Sequence, residues 1–135
     1  MDDKIRVLKF FKEEGKVLYE KQFLDNDLKS FQESVNGKIE VPFVSDLFNG
    51  LGIDVIVNDE SNILELEPTL GFVDRGNNVV GVIQGNIVFV SHDDKGEFVS
   101  LTDEQLDIII NSILDATLIC SSTVGRFSIP AMRIY

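Results

Sequence analysis

Ile5 to Phe11 alternates apolar and polar side chains, and Val17 to Phe23 does so again. A period of two turns every second side chain to one face, as in a half-buried strand. Between the two runs, Lys12-Glu13-Glu14-Gly15 predicts a short hairpin loop, with Gly15 free to take positive φ. Asp25-Asn26-Asp27 then offers N-cap oxygens, and Leu28, Phe31 and Val35 follow at helical spacing. Asn36-Gly37 is a stop signal, so a helix of about two to three turns is expected. Lys38 to Val44 reads as a strand that Pro42 confines to an edge or a bulge.

Asn49-Gly50-Leu51-Gly52 predicts a flexible turn, and the β-branched run Ile53 to Val57 a buried strand. Asn58 to Asn62 is a polar turn and Ile63 to Leu66 a return to strand. Pro68 to Asn78, with Gly71 and Gly76, reads as a loop. Val79 to Ile83 and Ile87 to Val90 are strands on either side of Gln84-Gly85-Asn86. Asp93-Asp94-Lys95-Gly96 is a hairpin turn leading to Phe98-Val99. Thr102-Asp103-Glu104-Gln105 has the form of a capping box, with two carboxylates at the positive end of the helix dipole.

The helix that follows is expected to run to about Ile119. Leu106, Ile109, Ile110, Ile113, Thr117 and Leu118 line one face, and Glu104, Asp107, Asn111 and Asp115 the other. Ile108, Leu114 and Ile119 broaden the apolar arc and suggest cover on more than one side, as by another subunit. Arg126 to Ile129 and Met132 to Tyr135 form a strand-like tail broken at Pro130. The expectation is an α+β domain: mostly antiparallel sheet, one short helix after the first hairpin, a longer C-terminal helix, then the tail. With 135 residues, one domain over 1–135 is expected, its core spanning 4–119 and its tail 120–135.

Charge narrows the functions open to such a domain. Twelve Lys and Arg face 23 Asp and Glu, a net charge of −11. Residues 1–38 are balanced, eight basic against eight acidic, whereas residues 39–135 hold only Arg75, Lys95, Arg126 and Arg133 against 15 carboxylates. This argues against direct nucleic-acid binding and against anionic membranes. A single Cys and a single His exclude an internal disulfide and multi-Cys or multi-His metal centres. No cofactor is expected. The first residues lack the plan of a signal peptide and no apolar run reaches membrane-spanning length, which places the protein in the cytoplasm.

The remaining candidates for chemistry are modest. His92-Asp93-Asp94 sets possible metal ligands side by side, but as a hairpin turn it points them apart. Asn58 to Asn62 lacks the alternating ligands, central Gly and closing Glu of a calcium loop. Cys120 has no base partner in the pattern, and Gly71, Gly76, Gly81 and Gly85 spell no phosphate-binding fingerprint. The rare cations are more informative. Arg75 lies in Asp74-Arg75-Gly76-Asn77-Asn78, and Arg126 and Arg133 lie in the tail near Phe127 and Tyr135. Guanidinium groups beside aromatic rings clamp phosphate and stack a base, and Asn77 and Asn78 supply edge-reading amides. The plain alternative is that these arginines pair with the abundant carboxylates.

Four phrases carry a resemblance. They are Gly37-Lys38-Ile39-Glu40, Gly52-Ile53-Asp54-Val55-Ile56-Val57-Asn58-Asp59-Glu60, Gly85-Asn86-Ile87-Val88-Phe89-Val90, and the run from Asp93 to Gln105. In this order they resemble the domain-of-unknown-function 3846 family, over roughly residues 4 to 115. The resemblance implies no activity and transfers no catalytic residue. It does imply a context of phages and other mobile elements, some of whose members accompany anti-restriction genes. Relatives often carry Asn-Arg after the proline matching Pro68, where this chain has Thr69 and Leu70.

Together these observations set two expectations. The first is a non-enzymatic counter-defence protein in the host cytoplasm. It would sequester a small nucleotide immune signal through Arg75, Asn77, Asn78, Arg126, Phe127, Arg133 and Tyr135, as a homo-oligomer with pockets between subunits. The second is an acidic inhibitor that imitates DNA and binds a basic host protein, a restriction enzyme or nuclease. It would present the carboxylates of 39–74 and 96–125.

Overall fold

A computed structural model describes residues 4–61, 64–122 and 125–135. The first hairpin forms as the alternation predicts. β1 (Lys4–Glu13) and β2 (Lys16–Asp25) pair antiparallel along their full length, closing at Glu13 and Lys16. The loop is tighter than expected, only Glu14 and Gly15, both at positive φ (52° and 79°), as the twist of a two-residue hairpin demands. Helix α1 (Leu28–Val35) starts where Asp27 accepts from the Ser30 amide at 2.8 Å and stops at Asn36, φ 63°. That amide hydrogen bond holds the Asp27 carboxyl below the usual carboxylate range.

Departures begin after α1. The strand expected over Lys38 to Val44 shrinks to β3 (Ile39–Glu40), because Pro42 has no N–H to continue the ladder. The flexible turn expected at Asn49 to Gly52 is instead the end of a short helix, α2 (Asp46–Gly50), capped by Ser45 on the Phe48 amide and anchored by fully buried Phe48. β4 (Ile53–Asn58) forms as expected. The strand expected at Ile63 to Leu66 does not: Leu64 and Glu65 are in a turn, Glu65 at φ 53°, and Ile63 lies outside the described residues.

The loop expected over Pro68 to Asn78 holds a strand, β5 (Pro68–Val73), every residue of which is buried. Pro68 is tolerated as a strand's first residue. Gly71 is small because Leu118 packs over it, and a Cβ there would run into Leu118 Cδ1. β6 (Val79–Gln84) and β7 (Ile87–His92) follow, joined through Gly85 at φ 78° but belonging to different sheets. β8 (Phe98–Val99) returns along β7.

Helix α3 (Asp103–Asn111) carries the full capping box, Thr102 Oγ1 accepting from the Gln105 amide and Gln105 Oε1 from the Thr102 amide. It ends eight residues short of Ile119. Ser112 Oγ donates to the Ile108 carbonyl at 2.6 Å, and the Arg133 amide takes the Ser112 carbonyl at 2.9 Å. The continuation, which holds the β-branched Ile113, Thr117 and Ile119, is β9 (Ile113–Ser122), paired with β10 (Gly125–Arg133). Ladder pairing to β10 overrides the helical spacing of the same side chains. The wide apolar arc read on one helix is therefore divided. Leu106 and Ile109 are buried on α3, whereas Leu114 and Ile119 belong to β9. β10 is one strand whose register shifts between Pro130 and Met132, where the break was expected.

The result is α+β with mostly antiparallel pairing and, among the described residues, three short helices. One sheet runs β2-β1-β7-β4-β3, with β8 on β7. The other runs β6-β5-β10-β9, in which β5 and β10 are parallel. The sheets approach through β1 and β5 and through β4 and β6. Alternation sorts the core. Ile53, Val55, Ile87 and Phe89 face the second sheet, meeting Leu70, Phe72 and Met132 and the apolar sides of α2 and α3. Ile56, Val88 and Val90 face the other way, onto Phe31 and Val35 of α1.

Candidate functional site

β10 decides how the sequence-derived candidates are arranged. Arg126 and Arg133 sit near opposite ends of this strand, which at the rise of an extended chain puts them ~20 Å apart. The seven candidates therefore form two groups rather than one.

The first group gathers at the end of the second sheet where β5 and β10 run out together. Arg133 is in register with Val73, and the Ile134 amide donates to the Val73 carbonyl. Two residues further along each chain, the Arg75 guanidinium carbon lies 5.1 Å from the centre of the Tyr135 ring. Asp74 builds the adjoining turn: its Oδ1 accepts from the amides of Gly76 and Asn78 at 2.9 and 3.0 Å. Asn77 takes φ 60° within it. This fixed turn keeps Arg75, Asn77 and Asn78 exposed. Neither Arg75 nor Arg133 forms an ion pair among the described residues, whose three such pairs are Arg6–Asp103, Lys12–Glu67 and His92–Asp54.

The second group is at the other end of β10. Arg126 is exposed, and Lys12 Nζ stands 4.3 Å over the Phe127 ring. Lys12, on a side chain only 15% exposed, also pairs with Glu67 at 3.3 Å. It lines a cleft of about 350 Å³ with Glu14, Asn36, Glu67, Thr69 and Asn86. Thr69 Oγ1 donates to the Gly85 carbonyl at 2.7 Å, and Asn86 donates to the Ser34 carbonyl at 3.0 Å, so the cleft's corners are fixed. Its charge is unsuited to an anion: one lysine faces two carboxylates. Sequence reading missed Lys12 as part of a cleft, because it lies in the alternating first hairpin while its partner Glu67 comes from a distant irregular segment. Thr69 and Leu70 are both buried in β5.

A second groove of about 300 Å³ runs between α1 and the first hairpin, past Lys4, Lys9, Ser30 and Ser34. Burial pushes the Lys9 pKa down, against the raising effect of Glu20. Ser34 Oγ is buried without a hydrogen-bond partner among the described residues.

α3 also carries exposed carboxylates, Asp103, Glu104 and Asp107. Gln105 Nε2 donates to both the Leu51 carbonyl and Ser91 Oγ, tying α3 to the end of α2 and to β7. Arg6 is occupied by Asp103 and by the Leu101 carbonyl. His92 is the last residue of β7 and pairs with Asp54 at 2.9 Å. Asp115, expected on the same helix face as Glu104 and Asp107, is instead on β9.

These features define a two-sheet α+β protein with a cationic–aromatic end on one sheet and exposed carboxylates on α3. The model of a domain of unknown function, DUF3846, matches residues 5–115, and the chain belongs to that family. Arg75, Asn77 and Asn78 fall inside the matched stretch, while Arg126, Phe127, Arg133 and Tyr135 fall beyond it. No curated protein and no solved structure matches the chain. No helix among the described residues is long and apolar enough to cross a membrane.

Proposed function

We propose that this protein binds, without transforming, a small phosphate-bearing nucleotide, and that in a phage setting it withdraws a host immune signal of the cyclic oligonucleotide or cyclic ADP-ribose type. The ligand sits at the end of the second sheet formed by Arg75, Arg133 and Tyr135, with Asn77 and Asn78 at its rim. One observation carries the reading. In a chain whose carboxylates outnumber its cations almost two to one, Arg75 rests on an aromatic ring and neither it nor Arg133 is paired with a carboxylate. Guanidinium groups without a carboxylate partner are available for bidentate phosphate contact, and Tyr135 for stacking. The net charge repels an anion at long range, but salt screens that repulsion beyond about 8 Å under physiological conditions.

A thermal-shift panel of cyclic dinucleotides, cyclic trinucleotides and cyclic ADP-ribose isomers tests this. A true ligand at a hundredfold excess over its Kd adds about 2.7 kcal/mol and raises the Tm by several degrees. Arg75→Ala or Arg133→Ala then weakens binding tenfold or more, whereas Arg126→Ala, at the far end of β10, leaves it unchanged. A panel without a single shift removes this reading.

The exposed side of α3 supports a second reading, an acidic surface that imitates DNA toward a basic host protein. Glu104 and Asp107, both exposed on α3, favour it. Association would then fall steeply between low and high salt, and a restriction enzyme or nuclease inhibited equally at both would eliminate it.

A further inference from the structure

The groove between α1 and the first hairpin, about 300 Å³ in volume, holds two polar groups that the fold leaves unused. Ser34, on α1, is 6% exposed, and its Oγ has no hydrogen-bond partner among the described residues. Its backbone is tied down, because Asn86 donates to the Ser34 carbonyl at 3.0 Å. Ser30, one turn earlier, is engaged through its amide and its hydroxyl with Asp27. Lys9, half-buried on β1, lines the same groove. Glu20 stands opposite Lys9 in the ladder to β2, but its Oε1 accepts from Gln22 Nε2 at 2.8 Å. No carboxylate lies within ion-pair distance of Lys9 among the described residues. Burial therefore pushes the Lys9 pKa down more than Glu20 raises it. A buried hydroxyl without a partner and an ammonium half removed from water are each unfavourable. Both lie in one groove, and both are relieved by an acceptor placed there.

We propose that this groove is a binding site for a small carboxylate, held between the Lys9 ammonium and the Ser34 hydroxyl. A carboxylate has two accepting oxygens, so it serves both donors and sets one negative charge against one positive. A water molecule satisfies Ser34 but brings no charge to Lys9. A phosphate fits less well, because it carries more than one negative charge near neutral pH. Around the groove Asp25 and Glu33 stand against Lys4 alone, all three exposed. A second negative charge is therefore repelled locally, and again by a molecule of net charge −11. Leu24, half-buried in the groove wall, gives a short carbon chain an apolar contact. The site shares no residue with the Arg75, Arg133 and Tyr135 end of the second sheet, and it does not rest on the nucleotide reading.

The test is titration of the isotope-labelled full chain with sodium acetate and sodium butyrate, up to about 100 mM, followed by amide NMR at fixed ionic strength. Saturable shifts are expected at Lys9, Gln22, Ser30, Glu33 and Ser34, with a Kd of about 1–10 mM, and none with sodium chloride. Lys9→Gln and Ser34→Ala are each expected to weaken binding about tenfold. Ser34→Ala is expected to melt no lower than the wild type, since it removes a buried hydroxyl that has no partner. Should Lys9→Gln fail to fold, Ser34→Ala decides alone. The absence of any saturable shift overturns the proposal. An affinity that Ser34→Ala leaves unchanged also overturns it, because the hydroxyl then holds water only. Inorganic phosphate binding as tightly as acetate overturns the choice of a carboxylate. None of these outcomes touches the nucleotide reading, which is read out at Arg75 and Arg133.

Discussion

Asn58 uses both ends of a fully buried amide. Its Nδ2 donates to the carbonyls of Val35 and Asn36 at 3.0 and 3.2 Å, and its Oδ1 accepts from the Glu60 amide at 2.7 Å. One side chain thus closes the end of α1 against β4 and starts the turn that leaves β4. In the sequence it reads only as the first residue of a polar turn. Nothing local announces that its partners lie more than twenty positions upstream. Asn58→Ala leaves two carbonyls without their donor, and a loss of about 2–3 kcal/mol is expected in urea unfolding; a loss under about 0.5 kcal/mol would mean that water replaces the amide. Arg75 presents the opposite case. It was legible because cations are so rare in residues 39–135, yet its partner Tyr135 is brought to it only by the parallel pairing of β5 with β10.

At the scale of elements, the sequence was read correctly where local chemistry and tertiary pairing agree. The first hairpin, α1 with both caps, β4, β7 and the capping box of α3 are of this kind. It was misread where a distant strand decides. Pro68 and Gly71 look like breakers and predict a loop, but in β5 Leu118 covers the glycine and every residue of the strand is buried. The second half of the expected long helix became β9 because β10 lies beside it. The same reasoning explains the candidate site: its residue types were visible, but its division between two ends of β10 was not. The capping box itself has unequal members. Thr102→Ala removes a cap and is expected to cost about 1 kcal/mol. Gln105→Ala removes the reciprocal cap and also leaves the Leu51 carbonyl and Ser91 without their donor, so its loss exceeds that of Thr102→Ala. Equal losses in chemical unfolding would show that the bonds from Gln105 to α2 and β7 add nothing.

For the molecule as a whole, charge opposes compactness. Most of the 23 carboxylates have no cation within ion-pair distance, since the described residues form only two Lys/Arg–carboxylate pairs. Self-repulsion in such a molecule is relieved by counterions. The Tm is therefore expected to climb several degrees from low salt to about 0.5 M sodium chloride, with most of the gain at the low end. A Tm independent of salt would show that the carboxylates are too dispersed to matter.

The position of β10 has a consequence in time. Gly71 and Ala131 are sheet neighbours, yet a ribosome makes the whole of β6 to β9 between them. Until β10 arrives, β5 can pair only with β6, while Leu70 and Phe72 wait beside a valine strand without charge. Parallel pairing across so long a stretch is slow to form. The nascent chain therefore passes through an interval in which the β6 edge and part of its future core are exposed together, the kind of state from which aggregation starts.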